Sequence, residues 1–170
     1  TLALLAALSA APADARGMQA RIDRVVTPVA TLEQVRVRVD WPAGASTGEL
    51  QLWAGRVDAP DLGYGYRDLH WRCPLRRDGK DGWRCEGALR SGCSAPLQLA
   101  VRFDAATTQA SLAQGTARIA LDRDAASPDL TTIDLTRVPA QWAQALLAKA
   151  WPEARFTSGE LDARLDIDAA

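Results

Sequence analysis

The chain has 170 residues, 48% hydrophobic and 24% charged, with a formal net charge of −1. That is enough chain for one domain with a sizeable core, in an ordinary balance for a folded protein. No basic block stands out, so the electrostatic footprint of a nucleic-acid binder is missing.

Residues 1–15 read TLALLAALSAAPADA, a short apolar run over 2–8 followed by small residues and Ala13-Asp14-Ala15. This pattern predicts an export signal with an A-x-A cleavage site and a mature N-terminus near Arg16. The run is too short for an ordinary spanning helix. It lacks an initiator Met and a basic leader, so the expectation is a chain cut at its start. An apolar extension upstream would turn the segment into an uncleaved inner-membrane anchor, and a buried helix of the domain is the third reading. Residues 16–170 are expected to form a single β-rich domain that continues past residue 170.

Residues 17–26 alternate weakly and predict a first strand. Over 29–41 the pattern is clearer, with Val35, Val37 and Val39 against Arg36, Arg38 and Asp40, the period of a half-buried strand. A loop follows over 42–48. The next strand, 49–57, places Leu50, Leu52 and Ala54 on one face and Trp53 on the other.

Residues 68–90, DLHWRCPLRRDGKDGWRCEGALR, predict a hairpin centred on Gly79 with a turn over 76–82. Its expected register sets Leu75 opposite Trp83, Cys73 opposite Cys85, Trp71 opposite Gly87 and Leu69 opposite Leu89. The other face then matches Arg72 with Glu86 and Asp68 with Arg90. A slip of one residue would destroy both sets of matches. Opposed cysteines in an antiparallel pair approach bonding distance, which predicts a Cys73–Cys85 disulfide. It would stabilise by roughly 2–3 kcal/mol on the chain-entropy account. Two reduced, buried thiols are the alternative. Pro74 lacks an N–H and either ends the ladder or leaves that side free. Cys93 is left as a free thiol or a partner for another chain.

Alternation resumes over 96–104 with Leu97, Leu99, Val101 and Phe103, and over 115–123 with Ala117, Ile119 and Leu121. The residues between these two runs are expected to be loop. A short strand is expected over 130–136. Residues 139–150, PAQWAQALLAKA, open with Pro and are rich in helix formers, predicting one short helix. A last strand is expected over 159–169, with Leu161, Leu165 and Ile167 against Asp162, Arg164, Asp166 and Asp168. The fold class is mostly β: an antiparallel meander of nine or ten strands, curved into an open groove or closed as a sandwich, with one short helix.

Catalytic constellations are not found. The one histidine, His70, falls on the polar side of the hairpin without a Gly-x-Ser-x-Gly or His-x-x-Glu companion. Asp122, Asp124 and Asp129 lack the spacing of a calcium loop, and Cys73 with Cys85 lack the partners of a zinc site. No cofactor is expected. Six tryptophans are many for this length, and tryptophan suits both a core and the margin between an apolar groove and water.

Two stretches carry a resemblance. One is 48–75, GELQLWAGRVDAPDLGYGYRDLHWRCPL; the other is 133–167, IDLTRVPAQWAQALLAKAWPEARFTSGELDARLDI. Both resemble the repeating β segments of the AsmA-like envelope proteins, the group of the TamB and YdbH types. The resemblance implies a periplasmic protein anchored in the inner membrane, with a taco-like β groove that passes phospholipids toward the outer membrane. Its partner would be phospholipid acyl chains. The residues expected to line the groove are Val35, Val37, Val39, Leu50, Leu52, Leu69, Trp71, Leu97, Leu99, Val101, Phe103, Ile119, Leu121, Leu161 and Leu165. The competing reading makes the same residues the closed core of a secreted, disulfide-stabilised sandwich that binds a protein or glycan through aromatics around Trp53, Tyr64 and Tyr66.

Overall fold

The structure, a computed structural model, describes residues 16–26, 30–60, 64–92, 94–142 and 157–168, with the isolated positions 144, 153 and 155. The expected export signal and Cys93 lie outside the described residues, as does most of the expected helix, of which residues 140–142 and 144 are helical. Ten strands follow in chain order: β1 (Arg16–Val26), β2 (Thr31–Trp41), β3 (Thr47–Ala59), β4 (Tyr64–Asp78), β5 (Gly82–Ser91), β6 (Leu97–Phe103), β7 (Thr107–Gln114), β8 (Ala117–Asp124), β9 (Leu130–Pro139) and β10 (Glu160–Asp168). They form one antiparallel sheet in which every strand pairs with its neighbours in sequence. Substantial packing between strands is confined to those neighbours. The described residues therefore form an open sheet, and the sandwich alternative is not formed by them.

Two expectations are corrected. Residues 107–114, expected as loop, are β7. Their alternation rests on Thr108, Ala110 and Leu112, of which the first is polar and the second small, so that Leu112 alone does not register as a hydrophobic stripe. Pairing with β6 on one side and β8 on the other settles the conformation. The hairpin register is also displaced by two residues. Leu75 faces Cys85, Arg77 faces Trp83, Trp71 faces Leu89 and His70 faces Arg90. The turn shrinks to residues 79–81, with Gly79 at φ 72°. A displacement of two keeps each side chain on its own face, so the apolar and polar sorting survives.

The disulfide forms as expected, with Cα atoms 5.5 Å apart, but diagonally. Cys73 stands across from Gly87, and ladder pairing lapses between Trp71 and Leu75, around Pro74. A Cβ at position 87 would lie 2.0 Å from the Arg72 carbonyl oxygen and 2.9 Å from the Cys73 Cβ. Gly87 therefore admits the close approach of β4 to β5. Its carbonyl accepts a hydrogen bond from the Trp71 indole at 3.3 Å. Trp71, Cys73 and Cys85 form the buried cluster, packed by Leu50, Leu52, Leu75, Leu89, Leu99 and Val101.

A second feature crosses the sheet. Gln34, Asp68 and Gly92 have positive φ, 55°, 51° and 50°. The flanking registers place them in one transverse line with Asp23 and Gly55, and ladder pairing lapses along it. The apolar alternation changes phase there. In β2 it passes from Leu32 to Val35, in β3 from Ala54 to Val57, and in β4 from Tyr66 to Leu69. The register is the same on both sides of the line, so the strands change phase together, each at the residue it places there. The Gln34 side chain lies over Gly55, where a Cβ would meet its Oε1 at 2.5 Å.

The turn from β6 to β7 is held by Asp104, whose Oδ1 accepts the N–H groups of Thr107 at 2.7 Å and Ala106 at 2.8 Å. These bonds, that of Thr107 first, hold the Asp104 carboxyl below its ordinary value. A lowered folded-state pKa stabilises above the unfolded value of about 4 and loses that contribution as pH falls through the folded value. Asp104→Asn is therefore expected to lower the urea midpoint near pH 7 and to converge on the parent chain as pH falls through the lowered folded-state value.

Candidate functional site

The polar face is built from exposed ion pairs and hydrogen bonds. Arg72 pairs with Glu49 from the neighbouring strand, holding Glu49 below its ordinary pKa together with Gln51. Arg38 pairs with Asp40, Arg84 with Glu86 and Arg102 with Asp78. His70 stacks on Trp53 with ring centroids 5.0 Å apart and planes 7° from parallel. Its Nε2 is buried without a partner. On the apolar side, across from Ala59 and Val57, Tyr64 and Tyr66 stack on each other, and burial raises the Tyr64 pKa. Asp122 accepts from Gln109 at 2.6 Å and Asp124 accepts the Ala126 N–H at 2.8 Å. Both carboxylates thus serve the strands and turns they belong to. Among the described residues no group of three His, Cys, Asp or Glu side chains could hold a metal ion.

The apolar face is continuous. One row runs through Ala20, Val37, Leu52, Trp71, Leu89 and Leu97. The next begins at Met18, Val39, Leu50 and Cys73, resumes beyond Gly87 at Leu99, and passes through Leu112, Ile119 and Leu135 to Ala163 in β10. The third passes from Leu75 and Cys85 through Val101, Ala110, Leu121 and Ile133 to Leu165. Nine inter-strand spacings of about 4.8 Å carry the middle row roughly 43 Å across the sheet.

Each residue expected to line a groove lies on this face. Val35 and Trp71 are buried, whereas Val37, Val39, Leu50, Leu52, Leu69, Leu97, Leu99, Val101, Ile119, Leu121 and Leu161 are half-buried. Phe103 and Leu165 are 45% and 46% exposed. Burial is greatest in β3 to β6 around the disulfide, and the apolar face thins toward both outer strands. Met18 in β1 and Ile167 in β10 are exposed. Among the described residues no helix is long and apolar enough to cross a membrane.

Sequence reasoning missed the margin of this face. Arg77 was expected within the turn; the observed register returns it to β4, opposite Trp83. The Arg77 guanidinium lies over the Trp83 ring, Cζ 5.1 Å from its centroid. Trp83 meets Trp41 of β2 edge to face, centroids 5.5 Å apart. Trp41 reaches it by leaning over Gly48, where a Cβ would lie 2.2 Å from the indole. The visible signal was the Asp78-Gly79 pair, which marks the turn on its own without the second Asp-Gly.

Comparison with protein-family models, with curated proteins and with solved structures gives no match.

Proposed function

We propose that this chain is a non-enzymatic β-groove segment of the periplasm that takes part in phospholipid transport between inner and outer membranes. The observation that carries this reading is an apolar face that no other described residues cover, whose middle row crosses all ten strands, flanked by one row from β1 to β6 and another from β4 to β10. A soluble domain that buries its apolar face needs a second layer, and the described residues provide none. Acyl chains are a chemically suitable cover. Each methylene moved from water onto such a surface gains about 0.8 kcal/mol, and no catalytic group is required for the transfer. The Cys73–Cys85 bond supports an oxidising compartment. The resemblance of residues 48–75 and 133–167 to AsmA-like segments supports the lipid assignment within that compartment.

The test is site-specific photo-crosslinking in the full-length protein, in cells grown with labelled phospholipid. Crosslinkers at Leu52 and Val101 sample the apolar rows, and crosslinkers at Gln51 and Arg102 sample the polar face. Label captured at Leu52 and Val101 alone is the expected result. Crosslinks from Leu52 and Val101 only to the protein itself would mean that another part of the protein covers the face, and the lipid reading would fall.

A further inference from the structure

The charge on the apolar face is confined to its margin. Leaving aside the positive-φ positions, the charged residues on that face from β2 to β10 are Arg77 and Arg123, among those described. Both are arginines and both stand in one marginal row, which runs from Arg77 through Trp83, Phe103 and Thr108 to Arg123. Among the described residues of β2 to β10, the positive-φ positions again aside, no acid shares that face. Arg77 has no carboxylate partner among the described residues, a condition it shares with Arg36, Arg76 and Arg90 of the polar face; its place on the apolar face sets it apart. Arg123 is anchored by its Nε, which donates to the Pro128 carbonyl at 2.5 Å.

Arg77 is exposed, so its guanidinium can meet an anion without first being freed from a protein carboxylate. The contact with the Trp83 ring holds the Arg77 guanidinium at the margin of the apolar face. The edge N–H groups are left for a bidentate oxyanion, the geometry that distinguishes arginine from lysine. Tryptophan beside it suits a boundary where one side is apolar and the other wet. The arrangement has the polarity of an amphiphile: rows that accept a tail, then aromatic rings, then a fixed positive charge.

We propose that Arg77, seated on Trp83, binds the phosphate of an anionic amphiphile whose tail lies on the apolar rows. This rests on the groove reading and adds a headgroup preference to it.

The test is calorimetric titration of the full-length, disulfide-bonded protein with short-chain phosphatidylglycerol, with diacylglycerol of the same tails, and with inorganic phosphate. The parent chain is expected to favour phosphatidylglycerol over diacylglycerol by about tenfold. Arg77→Gln should abolish that preference and leave diacylglycerol binding unchanged. Arg77→Lys, which keeps the charge but not the fork, should retain part of it. Unaltered urea midpoints would show that both variants fold. A preference that survives Arg77→Gln overturns the headgroup site while leaving the groove intact. No binding of either amphiphile overturns the groove reading and the site with it. Arg77-dependent binding of inorganic phosphate as tight as that of phosphatidylglycerol would assign the site to free phosphate and overturn the amphiphile.

Discussion

Gly87→Ala is expected to destabilise the folded chain by about 3 kcal/mol, at the upper end of ordinary overpacking. The methyl group would be placed 2.0 Å from the Arg72 carbonyl oxygen, and that neighbour is backbone, which cannot swing aside. Relief requires β4 and β5 to separate where the disulfide holds them together, and separation also breaks the bond from the Trp71 indole to the Gly87 carbonyl. Gly65→Ala, in β4, is the internal control. Its Cβ would find Asp58 Oδ1 at 3.5 Å and no closer atom, so a change of at most about 0.5 kcal/mol is expected, as for other surface substitutions. Urea unfolding of both variants with the disulfide intact decides it. Equal midpoints would refute the close-approach argument.

Removing the disulfide is the second large effect. The bond closes a separation of 12 residues, for which the loop-entropy relation gives about 3 kcal/mol. Its sulfurs also occupy the centre of the buried cluster, where Cys73 is 1% exposed. Cys73→Ala with Cys85→Ala should therefore lower the urea midpoint as far as reduction of the parent chain does, or slightly further. Added reductant should then have no effect on the double variant. In that background Gly87→Ala should cost less than in the oxidised parent, because untied strands can move apart. Neighbouring substitutions that share a backbone shift are not additive, so additive losses would show that the disulfide does not enforce the approach.

Much of the sheet was legible because its strands obey a period of two. Val35 to Val39, Leu97 to Phe103 and Leu161 to Ile167 announce both a strand and a face. The disulfide was legible for the same reason, since Cys73 and Cys85 share the apolar parity. Register was less legible. Two Asp-Gly pairs, at 78–79 and 81–82, offer two places to turn, and a displacement of two residues leaves every hydrophobic match intact. Only the backbone decides between them, through Gly87, which is required across from Cys73. That two-residue difference hid Arg77, because a turn residue has no face. β7 escaped because Thr108 and Ala110 are indistinct until their neighbours pair with them.

The line of matched phase changes was visible in pieces, as Trp53 on the polar side of its strand and Tyr64 and Tyr66 at even numbers before Leu69 at an odd one. No single strand states that its neighbours change phase at the same height. This gives four separate positions, Asp23, Gln34, Gly55 and Asp68, the character of one punctuation mark. Each strand is written in two frames, and the sheet is coherent only because the frames switch together. Deleting one of these residues would leave the composition of its strand almost untouched. It would invert the sidedness of half that strand against neighbours that had not changed. Insertions and deletions are therefore tolerable here only as a matched set, while the turns between strands are free to vary one at a time.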